Sequence, residues 1–308
     1  MHTVTISDID VGKRLDKYLQ EYHKESSRSQ WQKHIKNGVV LVNGKKTSPH
    51  YALRQGETIS IDLSDDESTS TTQPLPSIPI ITETDDYLII NKPIGVQVHE
   101  APGAEPAPLL SAWILEHYPA LNGVGDTPER PGIVHRLDRE ASGLMVIAKN
   151  QKMFDALKEQ FKAHTVVKEY QALVHGVLIK DEGTIDFAIG RSDEGRMAAR
   201  PMNQGVTPGK GALTSFEVVQ RFQNHTLVRV MPKTGRTHQI RVHFFALDHP
   251  LVGDSVYRYK GTIGKNQPKP TRLMLHATKL CFDDTNGTRV CYTAQPPAEF
   301  KQFIKALH

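Results

Sequence analysis

The sequence predicts an α+β protein in which a small N-terminal α/β domain precedes a larger domain with a mixed, mainly antiparallel sheet. After residue 78, apolar runs typical of strands outnumber helical segments, and the two do not alternate regularly as they would in a doubly wound fold. Residues 65–77 are acidic, then rich in Ser and Thr, then proline-containing, which is typical of a linker that cannot be buried. We therefore expect domains at 1–64 and 78–308, since a chain of 308 residues is long enough for two cores.

The composition limits the class of protein. Hydrophobic residues make up 38% of the chain, and no apolar run approaches the ~18 residues needed to cross a bilayer. The N-terminus does not resemble a signal peptide, so we expect a cytoplasmic protein, and we expect it to be a monomer without membrane contact. The net charge of +4 permits a polyanionic partner without requiring one. Cys281 and Cys291 flank a hairpin-like turn, and we expect them to be reduced core residues and not a disulfide.

The first 64 residues predict two helices followed by strands. Apolar residues at helical spacing mark the first helix, at Leu15, Tyr18, Leu19 and Tyr22. The capping-box pattern at 27–30 starts a second helix, which Gly38 ends. A strand and hairpin follow at 39–46 around the turn Asn43-Gly44, and a strand at 58–61 completes the domain.

Basic residues are concentrated in this first domain. It holds ten Lys and Arg against seven Asp and Glu, which accounts for three of the four net positive charges of the chain. The candidate phosphate-binding residues are Arg28, Lys33, Lys36 and Lys45. Such a cluster could neutralise several phosphates, and binding of that kind weakens steeply with salt; a solvated basic face is the alternative. The run from Arg14-Leu15-Asp16 through Ser27-Arg28-Ser29 to Val42-Asn43-Gly44-Lys45 resembles an S4 domain, a small RNA-binding module.

The second domain is expected to contain most of the sheet. A strand at 87–90 runs into the turn 91–95, a helix follows at 109–118, and another lies at 151–163. The expected strands are 144–148, 166–174, 213–219, 226–231, 273–282 and 289–292, with a final helix at 296–307. Residues 188–212, rich in Gly, Arg and Pro, predict an irregular basic excursion.

One charged loop, residues 131–141, stands out because it directly precedes a buried strand. It begins with a Pro-Gly turn and contains His135, Arg136, Asp138, Arg139 and Glu140. Loops that carry charge to the edge of a sheet are frequent positions for functional sites, and a solvated charged loop is the alternative.

His135-Arg136-Leu137-Asp138 followed by Ser142-Gly143-Leu144 resembles the motif of the RluA-type RNA pseudouridine synthases. The resemblance implies that Asp138 is the catalytic residue. The sequence departs from the family at Ala141, where threonine is usual, which affects a local hydrogen bond. Asn91-Lys92-Pro93-Ile94-Gly95 is similar to the opening of the same catalytic domain.

A second constellation occupies residues 235–243 and precedes an apolar, helical segment. Basic side chains and free backbone N–H groups at a helix start favour an anion. His238, His243 and His249 could instead bind a metal, but their spacing of five and six does not place them on one helix face, so we expect no metal. The stretch resembles the third motif of the family, which implies that Arg241 pairs with Asp138. The Lys-x-Tyr pattern at 168–170 implies that Tyr170 stacks on the target base, although an ordinary strand aromatic is the alternative.

The resemblance implies an isomerase that converts uridine to pseudouridine and needs no cofactor, because the reaction involves no redox change and no outside group. It implies ribosomal RNA of the large subunit as the substrate, with transfer RNA as the alternative. Arg136 is the candidate for filling the space of an extruded base or gripping a phosphate. His135, also placed with the substrate-binding residues, is expected to orient the loop. A decayed, non-catalytic RNA-binding protein and a hydrolase using His135 and Asp138 are the remaining alternatives; intact site residues disfavour the first and the lack of a set nucleophile the second.

Overall fold

The computed structural model describes residues 2–23, 28–62, 77–99, 107–192, 196–201, 209–259 and 269–307. The chain divides into two compact units, Met1–Gln73 and Pro74–His308. Of the predicted linker at 65–77, only residue 77 lies within the described residues. No helix in the described ranges is long and apolar enough to cross a membrane.

The first unit packs two helices against a small sheet. Its elements are β1 (His2–Thr5), α1 (Leu15–Tyr22), α2 (Arg28–Asn37), β2 (Val40–Val42) and β3 (Thr58–Ile61). The three strands are antiparallel in the order β1-β3-β2. Three members of the predicted stripe of α1, Leu15, Tyr18 and Leu19, are buried in one core with Trp31 and Ile35 of α2. Tyr22, the fourth member, is 47% exposed at the end of the helix.

The hairpin predicted at 39–46 is only partly present. Asn43 and Gly44 form the turn with φ of 51° and 74°, and Val42 pairs with Lys45 in a single bridge. Beyond this bridge β2 pairs with β3. The second arm therefore ends at this single bridge and does not continue as a strand.

The second unit contains the remaining elements. Its strands are β4 (Ile80–Glu83), β5 (Tyr87–Lys92), β6 (Ser142–Ala148), β7 (Val167–His175), β8 (Glu182–Arg191), β9 (Met197–Pro201), β10 (Leu213–Arg221), β11 (His225–Pro232), β12 (Leu275–Asp283) and β13 (Arg289–Thr293). Its α-helices are α3 (Leu110–His117), α4 (Gln151–Lys162), α5 (Gln239–Ala246) and α6 (Ala298–Lys305).

These ten strands form one sheet within the described part of the unit, in the order β4-β5-β6-β12-β7-β11-β10-β8-β9, with β13 beside β12. The pairings are antiparallel except that between β6 and β12. The α+β class with a mixed, mainly antiparallel sheet is therefore confirmed.

Strand β6 lies inside the sheet and is buried on both faces, which explains its unbroken apolar run. Met145 and Ile147 pack in the core that includes α3, and Leu144 and Val146 pack in the core that includes α4. The strand that follows the charged loop is thus among the most firmly held in the unit.

The structure corrects the prediction for residues 188–212. Residues 188–191 end β8, and 197–201 form β9, paired antiparallel with β8. Neither segment has the alternating apolar pattern of a strand, and pairing at the sheet edge overrides that weak local signal. Residues 193–195 and 202–208 lie outside the described residues.

The prediction of two reduced cysteines is wrong in this structure. Cys281 on β12 and Cys291 on β13 are directly opposite each other, with Cα atoms 4.2 Å apart, and form a disulfide. The prediction relied on the expected redox compartment, whereas the antiparallel register brings the two side chains together.

Candidate active site

The charged loop is fixed along β6 at both of its ends. Ile133 bridges Ile147, and the Ala148 N–H donates to the Gly132 carbonyl at 2.9 Å. The loop closes with a hydrogen bond from the Ala141 N–H to the Asp138 carbonyl at 3.1 Å. The Ala141 methyl group is buried in the apolar core. Asp138 therefore occupies a defined position just before β6.

Gly143 explains why glycine follows Ser142 in this motif. Residues 142 and 143 of β6 pair in parallel with 276 and 277 of β12. Gly143 has φ of +121°, and a Cβ there would lie 2.4 Å from backbone atoms of Ala277. The close approach of the two strands thus requires glycine.

The structure brings Asp138 and Arg241 together. Arg241, on α5, is 1% exposed, and its Nη1 lies 3.4 Å from Oδ2 of Asp138, whose side chain is 13% exposed. The same Nη1 donates to Oε2 of Glu140 at 3.2 Å. A buried guanidinium therefore holds two carboxylates of the charged loop, one of which is only slightly accessible.

Sequence reasoning missed the strongest partner of Arg241, which is Asp254. Its carboxylate accepts from Nε at 2.7 Å and from Nη2 at 2.8 Å, in the two-bond geometry typical of strong Arg–carboxylate pairs. Burial alone would lower the pKa of Arg241, but the bonded Asp254 and the charges of Asp138 and Glu140 raise it overall. Arg241 thus stays charged. The available signal was the Gly253-Asp254 turn, which neither recognised motif includes.

Tyr170 lies on β7 and is 9% exposed. Burial, and secondly the negative charge of Asp138, raise the pKa of its phenol, so the hydroxyl stays protonated at neutral pH. The ring is therefore uncharged, and it packs in the same apolar core as Leu137 and Ala141 of the charged loop.

Lys92 forms a hydrogen bond to the backbone of the charged loop. It is fully buried at the end of β5, and its Nζ donates to the carbonyls of Pro93 and Val96 at 2.9 Å and of Arg139 at 3.4 Å. The Gly95 N–H also donates to the Arg139 carbonyl, at 2.8 Å. Burial lowers the pKa of Lys92 to about 7, against the opposing effect of Asp138 and Glu140. The sequence motif at 91–95 thus fixes the charged loop through two hydrogen bonds to the Arg139 carbonyl.

His135 and Arg136 have different surroundings although they are adjacent. The His135 ring stacks on Phe161 with centroids 4.7 Å apart, and its Nε2 accepts the Val146 N–H at 3.1 Å. Burial, with the nearby charge of Lys168, lowers the pKa of His135 to about 3, so the ring is neutral. Arg136 is exposed. The structure thus ties His135 to β6 and leaves Arg136 at the surface.

The predicted phosphate-binding residues of the first unit are only partly described. Lys36, near the end of α2, and Lys45, after the Asn43-Gly44 turn, are exposed. The Lys46 side chain runs over Gly38, so the turn lies against the end of α2. Arg28 and Lys33 belong to α2, but their side chains lie outside the description.

The three histidines considered as metal ligands have separate protein partners. His238 Nδ1 bonds to the Tyr257 hydroxyl at 2.8 Å, His243 Nδ1 to the Thr214 hydroxyl at 2.9 Å, and His249 Nδ1 to the His175 carbonyl at 2.8 Å. In the described ranges, no group of three or more His, Cys, Asp or Glu side chains is placed to hold a metal ion.

Comparison with known families defines the class of protein. The family model "RNA pseudouridylate synthase" matches residues 86–246, and the S4 domain model matches residues 13–59. The chain therefore belongs to the RNA pseudouridylate synthase family, in its RluA-type form with an N-terminal S4 domain. It is an RNA pseudouridine synthase, which is an isomerase.

Similar proteins agree with this assignment over nearly the whole chain. The uncharacterized RNA pseudouridine synthase YlyB of Bacillus subtilis is 36% identical over 99% of this chain and 97% of its own. Ribosomal large subunit pseudouridine synthase D of Salmonella typhimurium is 36% identical over 99% of this chain and 94% of its own. The solved structure of human RNA pseudouridylate synthase domain containing 1 has a TM-score of 0.56 and 29% identity, and covers 75% of this chain and 94% of the human one.

Proposed function

We propose that the protein converts uridine to pseudouridine in large-subunit ribosomal RNA, with Asp138 as the catalytic residue. The observation that carries the proposal is the slightly accessible carboxylate of Asp138 against the buried guanidinium of Arg241. The ribosomal substrate is supported by the relatives named ribosomal large subunit pseudouridine synthase D, which match 99% of the chain. We propose the same cytoplasmic location that the sequence predicts.

The reaction breaks the N1–C1′ bond of uridine, turns the base and forms a C5–C1′ bond. A proton leaves C5 and a proton is gained at N1, so atoms balance without a redox partner. Asp138 would act either as a nucleophile at C1′ or as a base at C2′, and both roles need an ionised carboxylate. A guanidinium about 4 Å away attracts such a carboxylate by on the order of 4 kcal/mol at an effective dielectric of 20. Arg241 would therefore hold Asp138 in place.

The remaining residues would present the base. Tyr170 would offer its ring face to the uracil, and stacking of this kind contributes roughly 1–3 kcal/mol per base. A base within a stem must first be extruded, which costs a few kcal/mol. Arg136, exposed beside Asp138, would occupy the vacated space or bind the flanking phosphate. His135 would fix the loop, because its ring is stacked and hydrogen-bonded to β6.

The first prediction concerns Asp138→Asn, which keeps the size of the side chain but can act neither as nucleophile nor as base. We expect turnover to be abolished while RNA binding persists, measured as release of tritium from RNA labelled at uridine C5. Asp181→Asn, on an aspartate whose side chain is 88% exposed, is the matched control and should be fully active. Activity of Asp138→Asn within tenfold of the parent, about 1.4 kcal/mol of barrier, would refute the assignment.

The substrate is tested by mapping pseudouridines in ribosomal and transfer RNA from a strain that lacks the gene. We expect one or more sites to disappear from large-subunit ribosomal RNA only. Loss confined to transfer RNA would replace the substrate and leave the reaction unchanged. No lost site in either RNA would favour a non-catalytic RNA-binding protein.

A further inference from the structure

Asp254 is buried and lies in a turn that connects α5 to the lead-in of β12. Its side chain is 0% exposed. The turn is fixed by Gly253, which has φ of +79° and a Cβ position that would lie 1.9 Å from the Arg272 carbonyl oxygen. The Asp254 N–H donates to the Leu251 carbonyl at 3.2 Å. The backbone of this turn therefore fixes the position of Asp254 independently of its side-chain contacts.

The carboxylate of Asp254 accepts four hydrogen bonds. Oδ1 accepts the N–H groups of Val256 and Tyr257, each at 2.9 Å, as well as Nη2 of Arg241. Oδ2 accepts Nε of Arg241 at 2.7 Å. A carboxylate with two backbone donors cannot rotate to follow the arginine, so the arginine adopts the plane that Asp254 sets.

The same turn covers one face of the guanidinium. The Tyr257 ring centroid lies 5.2 Å from Cζ of Arg241, within the range of a cation–π contact. The Tyr257 hydroxyl is in turn bonded to His238, the residue before α5. Arg241 is thus fixed in its plane by Asp254 and covered on one face by Tyr257.

The distances show which partner determines the arginine position. The bonds to Asp254, 2.7 and 2.8 Å, are in the range of strong charge-assisted bonds, whereas those to Glu140 and Asp138 are 3.2 and 3.4 Å. Only Nη1 faces the charged loop. If Asp138 determined the position of Arg241, the short bonds would be on that side.

We propose that Asp254 is a positioning residue for the isomerisation: it fixes the guanidinium of Arg241 so that Nη1 points at the reacting carboxylate. This inference depends on the proposed role of Asp138. Asp254 touches no reacting atom and acts only through Arg241. Since a displacement of about 1 Å can cost a hundredfold in rate, loosening this pair should lower turnover and leave RNA affinity nearly unchanged.

The central test is Asp254→Asn, which preserves size but cannot accept from both Nε and Nη2 while bonding two backbone donors. We expect kcat to fall about a hundredfold and KM for RNA to change less than threefold. The matched control is Asp86→Asn. Asp86 accepts from Asn150 and Thr285 at the opposite end of β5 from Lys92, so its loss should leave kcat unchanged.

A double-mutant cycle with Arg241→Lys separates positioning from a general structural effect. If Asp254 acts through Arg241, the double variant should be no slower than Arg241→Lys alone. Additive losses, or a kcat of Asp254→Asn within threefold of the parent, would overturn the inference. If Asp254→Asn does not fold, Asp254→Glu keeps the charge and displaces the carboxylate by one methylene. It should then show the same loss of kcat with unchanged KM, and parental kcat would overturn the inference.

Asp138→Asn in the same assay separates the catalytic role of Asp138 from the positioning role of Asp254. An inactive Asp138→Asn with a fully active Asp254→Asn would remove the positioning role alone. An active Asp138→Asn would instead remove the catalytic assignment on which that role depends.

Discussion

Each unit of the molecule contains an arginine paired with a completely buried aspartate, but the two arginines differ in their exposure. In the first unit Arg14 is 37% exposed and donates to Asp16 at 3.1 and 2.9 Å. Asp16 also accepts Nε2 of Gln32 at 2.6 Å, and its N–H donates to the Pro49 carbonyl. In the second unit it is Arg241 that is buried, and its Nη1 faces Asp138.

The difference shows that burial of an ion pair does not by itself indicate a site. Asp16 joins α1, α2 and the 48–52 loop, so its bonds serve the architecture of the S4 unit. Arg241 has two bonds to Asp254 that fix it, and its remaining terminal donor, Nη1, faces the slightly accessible carboxylate of Asp138. We infer that a fixed, buried cation with a donor aimed at such a carboxylate marks the functional pair.

The largest effect is expected for Arg241→Lys. A single ammonium cannot bond to Asp254 and face Asp138 at once, because it lacks the planar fork of arginine. We expect kcat to fall by about 10²–10³, equivalent to roughly 2.7–4 kcal/mol, as for loss of a preorganised donor. The measurement is multiple-turnover tritium release at saturating RNA, which gives kcat.

Arg229→Lys is the control for this experiment. Arg229 pairs with Glu217 at the surface, where both side chains are about half exposed, so the substitution should leave kcat unchanged. If Arg241→Lys retained more than a tenth of the parental kcat, the Nη1 donor that faces Asp138 would not be what distinguishes the functional pair from the architectural pair.

Most of the fold could be predicted because its elements have strong local patterns. The stripe of α1, the apolar run of β6 and the helix α4 lie where periodicity places them. The exceptions depend on tertiary contacts: β9 lacks an alternating pattern and is a strand through its pairing with β8. Likewise, the Cys281–Cys291 bond depends on the register of β12 and β13, which composition does not specify.

For the site, the sequence predicted the pairing of Asp138 with Arg241 because two motifs carry these residues. Asp254 was missed since it lies 13 residues beyond Arg241, in a Gly-Asp turn that follows two apolar residues. Nothing in such a turn indicates which side chain it will meet. Likewise the motif at 91–95 was recognised, but that Lys92 is buried beneath the charged loop follows only from the three-dimensional packing.

A smaller and purely structural effect is expected for Asp16→Ala. Hydrogen bonds to charged groups contribute about 1.5–3 kcal/mol, and we expect the free energy of unfolding of the first unit to fall by that amount. Trp31 is buried in this unit and is one of two tryptophans in the chain, so a Trp113→Phe background lets its fluorescence report on this unit alone. The kcat at saturating RNA should not change.

Asp10→Ala is the matched control in the same unit. Asp10 pairs with Lys13 at the surface, and its loss should lower the free energy of unfolding much less than the loss of Asp16 does. A clear loss of kcat in Asp16→Ala would mean that the architectural pair also contributes to the active site.

The smallest effect concerns the surface of the first unit. Lys36 and Lys45 are both exposed. The end of α2, which carries Lys36, lies close to the turn that precedes Lys45, because the Lys46 side chain packs over Gly38. If they bind RNA phosphates, Lys36→Gln/Lys45→Gln should flatten the log–log dependence of affinity on salt by roughly 0.7–0.9 for each phosphate that is no longer neutralised. Phosphate contacts carry no sequence information, so the same uridine should be modified at an unchanged saturating kcat.

The control pair Lys301→Gln/Lys305→Gln removes equal charge from exposed positions on α6 and should leave the slope unchanged. Equal flattening in both pairs would indicate a general charge effect, and no flattening in the first pair would show that this face does not hold RNA. A changed target uridine would mean that the S4 unit helps select the site, which the division between an architectural and a functional unit does not allow.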